Sequence, residues 1–203
     1  MPSFHPEPPF THGQADRTAV LLCNLGTPDE PTAPAVRRYL AQFLGDHRVV
    51  EIPKLLWMPI LHGIILRTRP AKSAAKYASI WTPEGSPLAH WTAKQATLLR
   101  GWLGEAGHAV LVRHAMRYGN PSIASQLDAL KAEGATRILI LPLYPQYSAT
   151  TTASVFDAVY TWAAATRNVP ELRFVNHYHD ATGYIDAPVS YTHLRAHETR
   201  GNL

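Results

Sequence analysis

The chain has 203 residues, 46% of them hydrophobic and 17% charged, enough to bury a core for one domain, or one and part of another, and too apolar for a disordered or fibrous protein. Its formal net charge of +4 is mild, and Lys and Arg are scattered rather than massed with aromatics, so no nucleic-acid partner is expected. The single cysteine, Cys23, excludes an intrachain disulfide framework and a thiolate cluster built from this chain alone.

The opening MPSFHPEPPFTHGQADR has neither a basic start nor an apolar core, so it does not read as a signal peptide; rich in proline and histidine, residues 1–17 read as a disordered leader. The first strand is AVLLCNLG, Ala19 to Gly26, an apolar run of the kind buried on both faces, with Cys23 as an inert core thiol. Gly26-Thr27-Pro28 follows, where a nucleotide-binding protein would place GxGxxG or GxxxxGK with Ser or Thr; neither is there, and a tight turn explains Gly26 equally well.

The segment from Glu51 to Leu88 holds LLWMPILHGIIL, Leu55 to Leu66, which falls short of the roughly 20 residues that span a bilayer. This apolar run ends in Arg67 and Arg69, followed by Tyr77 and Gly85-Ser86-Pro87. An apolar surface edged by guanidinium, phenol and hydroxyl could hold a hydrophobic body bearing carboxylates, because arginine pairs with carboxylate through two parallel bonds. A core helix with a solvated basic end accounts for the same residues.

A helix then starts at Ser86 as N-cap with Pro87 in its first turn, carries Leu88, Trp91, Leu98, Leu99, Trp102 and Leu103 as its core stripe, and ends at Gly107. Strand HAVLVRHAMRY (His108 to Tyr118) leads to a helix framed by Asn120-Pro121 and Gly134, with Ile123, Leu127 and Leu130 facing inward. Strand RILILPLYP (Arg137 to Pro145) leads through Tyr144, Gln146, Tyr147, Ser148 and a run of hydroxyls to the helix SVFDAVYTWAAAT, and LRFVNHY (Leu172 to Tyr178) is the fourth strand. Those hydroxyls suit helix capping, and the two tyrosines with Gln146 suit the wall of a site for a flat apolar ligand. Alternating strands and helices predict an α/β fold, a parallel sheet covered on both faces, with chemistry in the loops beyond the strand ends.

The motifs LLCNLGTPDEP, RTRPAKSAAKYASIWTPEGSPL, MRYGNPSI and LPLYPQYSATTTASVFDAV, in that order and spacing, resemble the N-terminal half of ferrochelatase, the haem-biosynthesis lyase that inserts ferrous iron into protoporphyrin IX. The likeness runs from Thr18 to Ala187 and implies a Rossmann-like domain, the first of two similar ones, with porphyrin in the cleft between them. It implies porphyrin contacts for Leu25 at the macrocycle face, for Arg69 (with Arg67 as the alternative), Tyr77 and Ser86 at the propionates and rim, for Arg117 and Tyr118 near the site, and for Tyr144 and Tyr147 at its back wall. Leu55 to Leu66 resembles the apolar lip. Protoporphyrin IX and ferrous iron are the implied substrates, in a cytoplasmic protein for which peripheral membrane contact stays open, as does coproporphyrin in place of protoporphyrin.

Two departures follow from the same resemblance. Ala149 stands where some members carry an iron-sulfur ligand, so no such cluster is expected. The metal-handling histidine and its acidic partner belong to the second domain, so no catalytic residue or bound metal is expected in this chain; His177 and His179, at the end of the fourth strand, read as structural or exposed. His193 and His197 are four apart with Glu198 beside them, a spacing suited to metal, but the family pattern stops at Pro188. Val189 to Leu203 resembles translated sequencing adapter, so residues 188–203 are expected to be a non-native tail whose metal-like spacing is an accident of reading frame.

Overall fold

The computed structural model describes residues 4–9 and 12–187. Strands β1 (Arg17–Gly26), β2 (Leu111–Tyr118), β3 (Ala135–Pro142) and β4 (Glu171–Phe174) form one sheet in the order β2-β1-β3-β4. All three pairings are parallel, as the apolar, unalternating runs require. The helices are α1 (Ala33–Gly45), α2 (Lys54–Ile60), α3 (Leu66–Ala78), α4 (Pro87–Glu105), α5 (Ile123–Ala132) and α6 (Ser154–Ala164). The tail motif His193, His197 and Glu198 lies outside the described residues.

The main core packs α5 and α6 against one sheet face. Leu21, Ile138 and Ile140 of the sheet meet Ile123, Leu127, Leu130, Val155, Val159 and Trp162, all at most 3% exposed. Each side chain of this kind contributes about 1.5–3 kcal/mol on burial. Trp162 also satisfies its indole by donating to Asp128 Oδ1 at 2.7 Å. Cys23 is fully buried in this core, and burial pushes its thiol up, as an inert cysteine requires.

On α4 the burial differs from the expected stripe. Thr92 and Ala96 are buried and Leu99 and Leu103 pack with them toward the sheet, whereas Trp91, Leu98 and Trp102 are 56%, 47% and 67% exposed. The small Ala96 lets the helix approach Leu22 and Val112, and Thr92 satisfies its hydroxyl by donating to the Leu88 carbonyl and accepting from Asn24 Nδ2. These four positions follow the i, i+4, i+7, i+11 rule as well as the large side chains do. Sheet contact therefore selects the small face.

Element ends follow local chemistry. Gly107, at φ +80°, closes α4, with His108 N–H donating to the Leu103 carbonyl and Gly107 N–H to that of Gly104, so β2 begins at Leu111 rather than His108. The N-cap of α5 is Ser122, whose Oγ accepts from the Ser125 amide, rather than Asn120. β4 ends at Phe174, short of Tyr178. Residues 4–9, expected as disordered leader, lie against α5 and the turn after α6. Glu7 pairs with Lys131 and accepts from the Arg167 and Asn168 amides, and the Arg167 guanidinium lies 4.9 Å from the Phe4 ring. A carboxylate with a cation and two amide donors has reason to stay put.

Candidate functional site

Three segments bring the expected residues to the carboxyl ends of the strands. β1 ends at Gly26 beside Tyr118, in register at the end of β2. Gly26 has φ +104°, and a Cβ there would lie 1.8 Å from the Tyr118 carbonyl oxygen. Glycine is therefore required for the two strand ends to meet, which a sequence reading of a tight turn undervalues. Asn24 donates to Thr92 in the second turn of α4 at 2.9 Å, which places Ser86 and the α4 N-terminus at the same end. Ser86 is 7% exposed, and among the described residues its side chain makes no capping bond.

Above this end lies a second apolar cluster, in which Leu25, Val36, Tyr39, Leu61, Leu66, Tyr77 and Tyr118 pack together. It joins three of the expected residues, Leu25, Tyr77 and Tyr118, and adds Tyr39, whose ring meets that of Tyr77 edge-on at 6.2 Å. Helices α2 and α3 run on through a π-helical turn, Leu61–Ile65. Pro70, in the first turns of α3, cannot donate to the Leu66 carbonyl, so the ladder has a further gap just after the widened turn. The outer side of this helix is apolar and exposed: Leu55 is 87% and Leu56 63% accessible, with Ile60 and Ile64 beside them. That exposed ridge differs from a core helix with a solvated end. Arg67 and Arg69 follow in the first turn of α3, both exposed, and among the described residues neither has a salt bridge or side-chain hydrogen bond.

Arg117 and Tyr118 face inward instead. The carboxylate of Asp46, in the loop after α1, accepts on Oδ2 from Arg117 Nη2 at 2.6 Å, from the Tyr118 hydroxyl at 2.8 Å and from Ser154 Oγ at 2.6 Å. Arg117 Nε donates to the Ser154 carbonyl and hydroxyl, and its guanidinium lies 4.6 Å from the Tyr118 ring. Burial alone would push the Asp46 carboxyl up, but Ser154, the Arg48 amide, Tyr118 and Arg117 together hold it below the usual carboxylate range. Burial pushes the Tyr118 phenol up to about 12, so it remains a neutral donor. Asp46 was missed in the sequence because no local pattern marks it; its side-chain partners Arg117, Tyr118 and Ser154 lie 71, 72 and 108 residues away, and Ser154 read there only as one of a run of capping hydroxyls.

Tyr144 packs against the main core with its hydroxyl buried and, among the described residues, without a hydrogen-bond partner, and burial pushes its phenol up. Tyr147 is 53% exposed. Arg48, bonded to Asp157 through Nε and Nη2, carries the network on toward α6. His177 and His179 are exposed beyond the end of β4, with ring centroids 5.4 Å apart. No group of three or more His, Cys, Asp or Glu among the described residues is placed to hold a metal. No helix among them is long and apolar enough to cross a membrane.

A family model described as Ferrochelatase matches residues 17–200, past Ala187, where the motif resemblance ends. The chain is 77% identical over 180 residues to the ferrochelatase of Methylibium petroleiphilum, covering 89% of this chain and 50% of that protein. It is 69% identical over 207 residues to the ferrochelatase of a Polaromonas species, covering 99% and 56%, and 61% identical over 187 residues to that of Dechloromonas aromatica, covering 92% and 51%. The chain thus spans about half the length of these curated relatives. With a family match over most of its length, the chain belongs to the ferrochelatase family.

Proposed function

We propose that this chain is the porphyrin-holding half of an enzyme that inserts ferrous iron into protoporphyrin IX. The observation that carries this reading is an exposed apolar ridge followed by two guanidinium groups, Arg67 and Arg69, that are unpartnered among the described residues, beside a tyrosine-lined cluster at the strand ends. Protoporphyrin is a flat apolar disc with two carboxylates at one edge. Leu25 and the ridge Leu55 to Ile64 would take its apolar body, Arg69 with Arg67 its propionates, and Tyr77 and the Ser86 hydroxyl its rim. Tyr144 and Tyr147 would close the back.

Metal insertion requires the macrocycle to be gripped and distorted while a base removes the pyrrole protons. Rim contacts of this kind can supply the strain from binding energy. The proton acceptor is assigned to the second domain, and ferrous iron enters as substrate; the chain carries no resident cofactor in this account. The exposed ridge, with Arg67, Arg69, Lys72 and Lys76 along α3, also suits peripheral contact with a membrane that stores apolar porphyrin. Incubating the purified chain with protoporphyrin IX and ferrous iron tests the assignment. Binding without metalloporphyrin formation is expected, and turnover at an enzymatic rate would contradict it.

A further inference from the structure

We propose that Asp46 is the positioning residue that sets how Arg117 meets the porphyrin, an inference that rests on the porphyrin-holding reading above. The Asp46 side chain is 4% exposed, and a carboxylate is held there only when its lone pairs are used. Oδ2 takes three donors, Arg117 Nη2, Tyr118 and Ser154, and Oδ1 takes the Arg48 amide at 2.8 Å. Ser154 Oγ in turn lies 3.0 Å from the Tyr118 hydroxyl and accepts from Arg117 Nε at 2.7 Å.

The consequence is for the guanidinium. Its Nε and Nη2 edge is spent on Asp46 and Ser154, and one face lies over Tyr118, so among the described residues only Nη1 is without a partner. What is left is the Nη1 and Nη2 edge, two N–H groups held at an angle that Asp46 and Ser154 fix. Arg67 and Arg69, exposed and unpartnered among the described residues, offer guanidinium groups free to turn, whereas Arg117 offers one edge at a fixed angle, its charge balanced by Asp46. Asp46 thereby separates the arginines that catch carboxylate from the one that presents a fixed donor at the strand ends. Without Asp46, Arg117 would lose the anchor on Nη2 that sets its orientation.

The test is a double-mutant cycle on the 203-residue chain, read by protoporphyrin IX titration and by the 15N resonance of Arg117 Nε. Asp46→Asn keeps the shape and one oxygen that can accept from Tyr118 and Ser154 but removes the charge and the acceptor of the Arg48 amide; it should weaken binding about tenfold, the scale of a charge-assisted bond. Arg117→Lys should cost a similar factor, and the double variant should be no worse than the poorer single one, because both losses act through one guanidinium. The Arg117 Nε–H, bonded to Ser154, should exchange faster in Asp46→Asn, because the guanidinium loses its anchor on Nη2 and Ser154 Oγ loses the carboxylate it donates to. Binding within twofold of the parent together with an unchanged Nε–H would overturn the proposal, even if the unfolding midpoint falls. If Asp46→Asn does not fold, Ser154→Ala carries the same cycle, and additive losses there count against it. If the parent chain binds no porphyrin, the functional reading fails, while the Nε–H signal still reports whether Asp46 orients Arg117.

Discussion

Tyr118 and Asp46 lie 72 residues apart in the chain and meet phenol to carboxylate at 2.8 Å inside the protein. The contact ties the end of β2 to the loop after α1, and Ser154 adds the start of α6. Because the folded Asp46 carboxyl is held below its ordinary value of 3.8, its stabilising contribution is complete above that value and is lost as pH falls through the folded one. Breaking a buried pair of this kind costs about 3–5 kcal/mol. Asp46→Asn should therefore be much less stable than the parent at pH 7, and the gap should narrow below about pH 4. Thermal unfolding across pH checks this, and a gap constant to pH 3 would remove the ionised carboxylate from the account.

Gly26→Ala should be among the most damaging single substitutions in the fold. Positive φ and a Cβ 1.8 Å from the Tyr118 carbonyl oxygen leave no room without separating β1 from β2. A loss of about 3–5 kcal/mol in denaturant unfolding is expected. A loss under about 1 kcal/mol would mean that the strand ends can part cheaply.

The outward face of α4 should be nearly silent in stability. Trp102→Gln is expected to shift unfolding by less than about 0.5 kcal/mol, since Trp102 is 67% exposed, whereas Leu127→Ala, from a fully buried position, should cost about 2–5 kcal/mol. Comparable losses for the two would restore the expected large-residue stripe as the buried one.

Which parts of this were legible follows from where the determining contacts lie. The α5 face of Ile123, Leu127 and Leu130 could be read directly, because three apolar residues at helical spacing in a polar background leave one choice of inward side. On α4 two faces satisfy the same period, and only the sheet, pressing on Ala96 and Thr92, chooses between them. The strand-end loops could be placed from the alternation of strands and helices, but Leu25 and Tyr118 were named only through the resemblance to ferrochelatase, and the cluster they share with Tyr77 is visible only in the fold. That Arg117 and Tyr118 are turned inward was not legible, since Asp46 stands alone in LGDHRVV and acquires meaning only from distant partners.

Arg69→Ala should leave the unfolding midpoint unchanged, because the side chain is exposed and unpartnered among the described residues. It should nevertheless weaken porphyrin binding about tenfold or more, as a charge-assisted bond contributes about 1.5–3 kcal/mol. Affinity unchanged within twofold would move the propionate contact to Arg67 or remove it.

The central claim, that this half of the fold holds porphyrin, is tested most directly by titrating the purified chain with protoporphyrin IX and following its Soret band and the quenching of tryptophan fluorescence. The account predicts saturable binding at one porphyrin per chain, weakened by Arg69→Ala. Linear, unsaturable uptake that is indifferent to Arg69 and Arg67 would contradict it.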